Sequence, residues 1–531
     1  MSLTALADFF LHQQWQWQLP ATTLFLLVLL TLALATRDFS TKGGRLHLPP
    51  GPMRLPVLGN LHQIMGALPH RSLGELARRH GPVMLLRLGS APTVVVSSAE
   101  AAREVLKTHD AACCSRPDTP GARRLSYGYK DVAFAPYSDC WREMRKLIVV
   151  KLLNARRVQA TWPASKAEVD KLIGRLSSGG RRPVYLEDHI FTLMDGIVGT
   201  VALGSIYGSE QFAHKKHFHD LFDEAMAVKS SFSAEDYFPN VLGRLVDHLT
   251  GLVSRREKVF WELDAFFDKI IDSHLHPSRP IPDNGPDFID VLIGLTKEHE
   301  GTFSWFTTDH IKGMLSDMFI GGVDTNSVTV VWAMAELIRN PQVLKKAQNE
   351  IRAAVGNKER VEPDDLPKLK YLKMVVKETL RLHPVVPLLA PRETMRHIKI
   401  CGYDVPAKTR IFVNVWTIGR DPASWSNPEE FDPDRFEGNG VNFNGAHFEL
   451  LPFGAGRRMC PGVAMGVTIV EFTLANLLHC FEWELPDGMT TEDVSMEEAG
   501  GLTVNKKVPL VLVPTRIKRI LAYGDSKVVM E

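Results

Sequence analysis

Phe453 to Gly462 read FGAGRRMCPG, and the run behind them, Val463 to Phe481, is apolar and long enough to form one helix. A cysteine where a helix begins meets backbone N–H groups and the positive end of the helix dipole, and both favour thiolate over thiol. Thiolates bind soft and borderline metals, iron among them. Gly456 permits a tight turn ahead of the cysteine, Gly462 allows close backbone approach behind it, and Pro461 suits a first helical turn. Cys460 is therefore the expected metal ligand. The other cysteines, Cys113, Cys114, Cys140, Cys401 and Cys480, stand in no such motif and form no Cys-x-x-Cys, which points to a reducing compartment.

A second group, GGVDTNS from Gly321 to Ser327, sets an acid, Asp324, beside an alcohol, Thr325, a pair able to relay protons. Asp and Thr within a helix can equally face solvent or bond to the preceding turn. Gly321 and Gly322 each cost a helix interior about 1 kcal/mol relative to Ala, so something is expected to approach the backbone there. KETLRLHP places Glu378 and Arg381 three apart on one helical face, within reach of an ion pair. Taken alone, such a pair is usually exposed and worth little. WREMR places Trp141 and Arg145 four apart on one face, a spacing also common in ordinary aromatic–cation packing.

The longest helical pattern runs from an N-cap at Thr307 or Thr308 to just before Pro341, about 32 residues and roughly 48 Å, enough to cross a whole domain. From Ser72 onward most apolar residues recur at three and four, with short alternating runs at Val83–Leu88 and Thr93–Val96, so the body is expected to be mainly α with a minor β region. LSSGGRRP (176–183) and HLHPSRPIPDNGPD (274–287) read as surface loops. The 531 residues are 45% hydrophobic and 23% charged, which suits a large buried core; a net charge of +1 gives no argument for nucleic acid. Leu19 to Ala35 is nearly all apolar and spans roughly 25 Å as a helix, adequate for a thin bilayer. Trp15 and Trp17 precede it, and Arg37, Lys42 and Arg45 follow, which orients the body to the cytoplasm. A cleaved signal peptide fits less well, lacking a basic start and a small-residue cleavage site. The expected organisation is an anchor at 1–36, a proline-rich hinge at 37–60 and a single domain at 61–531.

Phe453, Gly456, Arg458, Cys460 and Gly462 together complete Phe-x-x-Gly-x-Arg-x-Cys-x-Gly, and FDPDRF carries Pro433, Arg435 and Phe436. With these motifs the chain resembles the cytochromes P-450, specifically the plant A-type microsomal group. The resemblance implies the P-450 fold, preceded by one transmembrane helix in the endoplasmic reticulum membrane. It implies haem b with Cys460 as the proximal ligand, Phe453 beside the ligand loop, and Arg458, Trp141, Arg145 and Arg392 at the propionates. Glu378, Arg381 and Arg435 become a structural network behind the haem loop. Gly321, Gly322, Asp324 and Thr325 match the oxygen-binding groove, with Asn326 where a hydroxylated residue is usual. The substrate pocket would draw on Tyr127, Phe319, Gly322, Val385, Leu388 and Leu502. No Gly-rich nucleotide fingerprint is present, so NADPH would act through a separate NADPH–cytochrome P-450 reductase, docked on a basic face near Arg457, Lys146 and Lys151, with dioxygen as co-substrate.

More narrowly, PTVVVSSAEAAREVLKTHD, CCSRP, FSAEDYFPN and HFELLPFGAGRR are similar to grass enzymes that carry an aromatic aldoxime through a nitrile to a hydroxynitrile in cyanogenic glucoside synthesis. The competing readings are a hydroxylase of another small plant aromatic, an oxygen-independent haem-thiolate dehydratase or isomerase, and a haem protein without turnover. Asp324 and Thr325 argue against an oxygen-independent reaction.

Overall fold

Val94, Val95 and Val96 are all fully buried, because the strand that carries them is covered on both faces. In the computed structural model, which describes residues 46–65, 68–204, 207, 215–277, 279, 286–298 and 305–517, β1 (Val83–Leu88) pairs antiparallel with β2 (Ala91–Val96). β3 (Arg392–Glu393) and β4 (Arg410–Val413) complete a four-stranded sheet in the order β1-β2-β4-β3. β2 runs parallel to β4, Val96 opposite Val413. Val94 and Val96 join one apolar cluster, while Val95 joins Met84, Leu86 and Leu88 in another, the period of two expected of a strand. The β1–β2 turn holds Gly89 at φ +60°, and a Cβ there would lie 2.5 Å from the carbonyl oxygen of Tyr237, so only glycine fits.

The rest is largely helical. The elements that position the site are α1 (Asp139–Leu147), α2 (Leu186–Leu203), α3 (Lys215–Ser230), α4 (Leu252–Leu275), α5 (308–339), α6 (Lys370–Leu382) and α7 (Val463–Cys480). Thr307 caps α5, as its sequence implies. α5 packs against α2, α6 and α7, and every residue from Asn326 to Ile338 is buried. A helix buried on every side belongs at the centre of a large domain. Its middle turn, Ile320–Asp324, widens to π-helix at the paired glycines. α7 is long and apolar enough to cross a membrane, but most of it is buried as core.

The expected anchor at 1–36 lies outside the described residues, as does the first part of the expected hinge. From His47 onward the hinge is laid on the body: His47 N donates to Asp404 Oδ2 at 2.8 Å, and Leu85 N donates to the carbonyl of Pro50 at 2.8 Å. The strap thus covers the outer edge of β1. Of the two loops read from sequence, the first begins after Ser178, where its helix ends. The second starts later than expected, because α4 continues to Leu275.

Glu471 on α7 sits buried near Lys373 and Lys377, and burial pushes its carboxyl up to about 7 despite those lysines. An acid whose folded-state pKa exceeds its ordinary 4.5 binds its proton more tightly when folded, so stability falls as pH rises from about 4.5 through 7. The shift corresponds to a change on the order of 3 kcal/mol across that window. Glu471→Gln is expected to match the wild-type melting temperature near pH 4.5 and to exceed it at pH 8 in thermal melts; equal melting at both values would remove Glu471 as the cause.

Candidate active site

Cys460 is presented by a turn whose shape its neighbours dictate. Gly456 has φ +70°, and a Cβ there would strike the carbonyl oxygen of Leu106 and the Asp110 side chain. A 3-10 turn over Gly456–Arg458 follows, and Cys460 N donates to the carbonyl of Phe453 at 3.0 Å, closing the loop. α7 begins only at Val463, with Gly462 as its N-cap, so Pro461 precedes the helix rather than entering its first turn. Cys460 therefore stands just outside the helix N-terminus. Burial pushes its thiol up, while the Gly462 N–H and the Arg145 guanidinium pull toward the thiolate. A bound metal would deprotonate it outright.

The Sγ faces an internal cavity, which explains why Cys460 has accessible surface although protein encloses it. Thr325, Gly321 and Asn326 of α5 line the same cavity, with Val385, Leu389, Phe453 and Val467 as apolar walls. Phe453 is braced edge-on by Phe443, their ring centres 5.2 Å apart. Val376 and Leu380 on one face of α6 also reach the cavity. Three guanidiniums border it: Arg116, Arg392 and Arg458.

These guanidiniums are held from behind. Arg458 donates to the carbonyls of Cys114 and Ala135, both at 2.7 Å, and lies 3.9 Å from the ring centre of Trp141. Arg392 donates to Asp110 Oδ1 at 2.8 Å and to the carbonyl of Ala455 at 2.7 Å. Arg116 donates to the carbonyls of Ala390 at 2.7 Å and Pro391 at 2.9 Å. Burial lowers Arg458 to about 10, with Arg392 and Arg145 lowering it further, and lowers Arg116 well below its ordinary value, with Arg458 and Arg392 adding to the effect. No carboxylate lines the cavity among the described residues. Convergent buried cations of this kind call for an anionic ligand. A largely apolar cavity bordered by a thiol and by three guanidiniums suits haem b, an apolar macrocycle carrying iron and two carboxylates. The donor set and the charge balance fit the group.

Several expected residues lie elsewhere. The Trp141 indole N–H donates to the carbonyl of Val132 at 3.0 Å, and Arg145 donates to the carbonyl of Met459; neither lines the cavity. Trp141 props Arg458, and Arg145 braces the residue before Cys460. Tyr127 packs on Phe260, 5.1 Å between ring centres, because its loop turns at φ +55° toward α4. Leu388 joins the sheet-side cluster, and its neighbour Leu389, at φ +52°, takes the place on the cavity wall. Gly322 faces away from Cys460 toward α2, where a Cβ would lie 3.0 Å from Val198. Gly321 is the open glycine, with nothing within 4 Å of its Cβ position. Phe319 and Leu502 line a second cavity together with Asp324, so the expected pocket is two cavities rather than one, of which only Val385 borders the first.

Thr325 Oγ1 donates to the carbonyl of Gly321 at 2.7 Å, which aims its lone pairs into the first cavity. Asn326 Nδ2 donates to the carbonyl of Gly322 at 2.8 Å. Asp324 turns to the opposite side and accepts from the Thr503 hydroxyl; burial raises its pKa, and Thr503 partly offsets that. Arg116 escaped sequence reasoning, whereas Thr503 stands beside Leu502 in the stretch expected to border the pocket. Each lies in a loop without periodicity, Arg116 only as the Arg-Pro of CCSRP.

Glu378, Arg381 and Arg435 do meet. Arg381 donates to both carboxylate oxygens of Glu378 at 2.7 Å, and Arg435 Nε donates to Oε1 at 2.9 Å. Arg381 also reaches the carbonyls of Gly419, Pro428 and Glu430. The Glu378 and Arg381 side chains have no solvent exposure.

The thiol-floored cavity beneath a π-widened central helix defines a haem-thiolate architecture, and the chain belongs to the cytochrome P-450 family, whose family model matches residues 49–513. It is an oxidoreductase of the monooxygenase class. Among its relatives, 4-hydroxyphenylacetaldehyde oxime monooxygenase of Sorghum bicolor is 60% identical over 95% of this chain and 96% of its own. A 2-methylbutanal oxime monooxygenase of Manihot esculenta is 48% identical over 95% of this chain and 98% of its own. A zebra fish cytochrome P-450 solved with progesterone shares the fold at a TM-score of 0.73 and 24% identity, over 85% of this chain and all of that one.

Proposed function

We propose that this chain is an aldoxime-metabolising monooxygenase that converts an aromatic aldoxime through a nitrile to a hydroxynitrile. The observation that carries the substrate class is the sorghum relative, 60% identical over nearly the whole of both chains and named for an aromatic oxime; the cassava relative is also named for an oxime. The oxygen chemistry rests on the Cys460 thiol and the Thr325 hydroxyl bordering one cavity.

In this reading Cys460 holds the haem iron, and Arg116, Arg392 and Arg458 hold the propionates. When bound, the haem supplies the reductive activation of dioxygen. Phe453, Val467 and Val385 exclude water from the apolar side of the cavity, which strengthens the remaining polar contacts. The Thr325 hydroxyl keeps a proton at Oγ1 on the cavity wall, and Asp324, one residue earlier, resupplies it from the other side of the helix. Electrons arrive from NADPH through a separate NADPH–cytochrome P-450 reductase. The chain is anchored in the endoplasmic reticulum membrane by residues 1–36, with residues 61–531 as one cytoplasmic domain.

The test expresses the chain in microsomes with a plant reductase and supplies 4-hydroxyphenylacetaldoxime. Nitrile and hydroxynitrile are expected only when both reductase and NADPH are present. A red-shifted ferrous carbon monoxide spectrum without aldoxime turnover would overturn the substrate assignment and leave the monooxygenase class intact.

A further inference from the structure

One buried carboxylate outside the Cys460 cavity pairs with two arginines in unlike settings. Asp110 opens the short helix Asp110–Cys113. Its Oδ1 accepts from Arg392 Nη1 at 2.8 Å, and its Oδ2 accepts from Arg457 Nη1 at 2.8 Å and from the Arg457 backbone N–H at 3.1 Å. Since a Cβ on Gly456 would strike Asp110 Oδ1 and the carbonyl of Leu106, glycine there is what lets the carboxylate reach the backbone of the cysteine turn.

The Arg392 side chain is 5% exposed, borders the cavity and also donates to the carbonyl of Ala455. The Arg457 side chain is 49% exposed and does not line the cavity. Arg116 and Arg458, the other two guanidiniums at the cavity, give their hydrogen bonds to backbone carbonyls. Of the three, Arg392 alone is ion-paired among the described residues. Asp110 itself does not line the cavity, so it acts there through Arg392.

Charges near a redox group decide how readily it takes up an electron. A carboxylate opposes the added electron and a guanidinium favours it, most strongly where water cannot screen them. With Asp110 in place, part of the Arg392 charge is cancelled before it reaches the cavity. Arg457, pairing with the same carboxylate from outside, limits that cancellation.

We propose that Asp110 sets the reduction potential of the haem, as a positioning residue that divides its charge between Arg392 at the cavity edge and Arg457 at the surface. The inference rests on the reading of Cys460 as the haem ligand and of Arg392 as a propionate partner. In the step concerned, one electron passes from the reductase to the haem and converts ferric iron to ferrous. Removing the Asp110 charge turns Arg392 wholly to a propionate and favours the ferrous form. Removing Arg457 leaves the carboxylate to Arg392 and favours the ferric form.

The test titrates the full-length, haem-loaded protein spectroelectrochemically without substrate or reductase, so that the reading is a midpoint potential rather than a rate. Asp110→Asn, which keeps the shape, is expected to raise the ferrous-to-ferric ratio at a fixed potential about fivefold, or about 40 mV at about 59 mV per tenfold for one electron. Arg457→Gln is expected to lower that ratio about threefold. In the Asp110→Asn protein the same Arg457→Gln exchange is expected to change it by less than about 1.5-fold, because its effect runs through the carboxylate. Wild-type midpoints in both single variants, each with the red-shifted ferrous carbon monoxide band, would overturn the proposal and leave the haem reading intact. Shifts that simply add in the double variant would overturn the route through Asp110. If Asp110→Asn fails to load haem, Arg457→Gln decides, and a wild-type midpoint there overturns the proposal. A wild-type chain without the red-shifted band would overturn the haem reading and the proposal with it.

Discussion

Cys460→Ser is expected to give a folded protein without the red-shifted ferrous carbon monoxide band and with turnover below about a hundredth of wild type, since removing even the partners of a metal ligand costs 10–100-fold. The exchange changes one atom. The bond from the residue-460 amide to the carbonyl of Phe453 and the glycine-shaped turn ahead of it do not depend on sulfur. A hydroxyl on the same carbon is far less acidic than a thiol, and Arg145 and the Gly462 N–H favour an anion too weakly to change that. Absorbance of the ferrous carbon monoxide complex, set beside far-ultraviolet circular dichroism, separates loss of the ligand from loss of the fold. A variant that keeps the red-shifted band would remove Cys460 as the ligand.

Arg381→Leu is expected to abolish haem incorporation by unfolding rather than by altering chemistry. Glu378 would lose its bidentate partner with no solvent exposure to compensate, and breaking a buried pair costs about 3–5 kcal/mol. Folded domains have only about 5–15 kcal/mol in hand. The carbonyls of Gly419, Pro428 and Glu430 lose their donor at the same time, which loosens the chain between α6 and the Cys460 loop. Arg381→Lys keeps the charge but not the planar fork, so it is expected to fall between the two. Expression with haem supplementation, read as carbon monoxide-binding protein per total protein, ranks the variants. Wild-type haem content in Arg381→Leu would show that the network is dispensable.

Both expectations were legible in sequence to different depths. The spacing of Phe453, Gly456, Arg458, Cys460 and Gly462 is local, and local steric and dipole effects shape such a turn whatever surrounds it. Glu378 and Arg381 lie on one helical turn, so their pairing could be read from the spacing; their burial followed only from the family resemblance, because the carbonyls enclosing the pair come from residues 419–430. The pocket was read least well. Tyr127 and Leu389 sit at positive φ, and a side chain's direction from such a turn depends on packing that no periodicity records.

By itself the sequence determined the local devices: the cysteine loop, the capped central helix from Thr307, the strands β1 and β2 and the Glu378–Arg381 spacing. These depend on interactions within a few residues, which residue type and interval control directly. Only the tertiary structure decided that Arg116 joins Arg392 and Arg458 around one cavity, that Gly321 rather than Gly322 opens toward Cys460, and that Asp324 and Thr325 look onto separate cavities. Those outcomes depend on how loops distant in sequence close over the separate faces of α5.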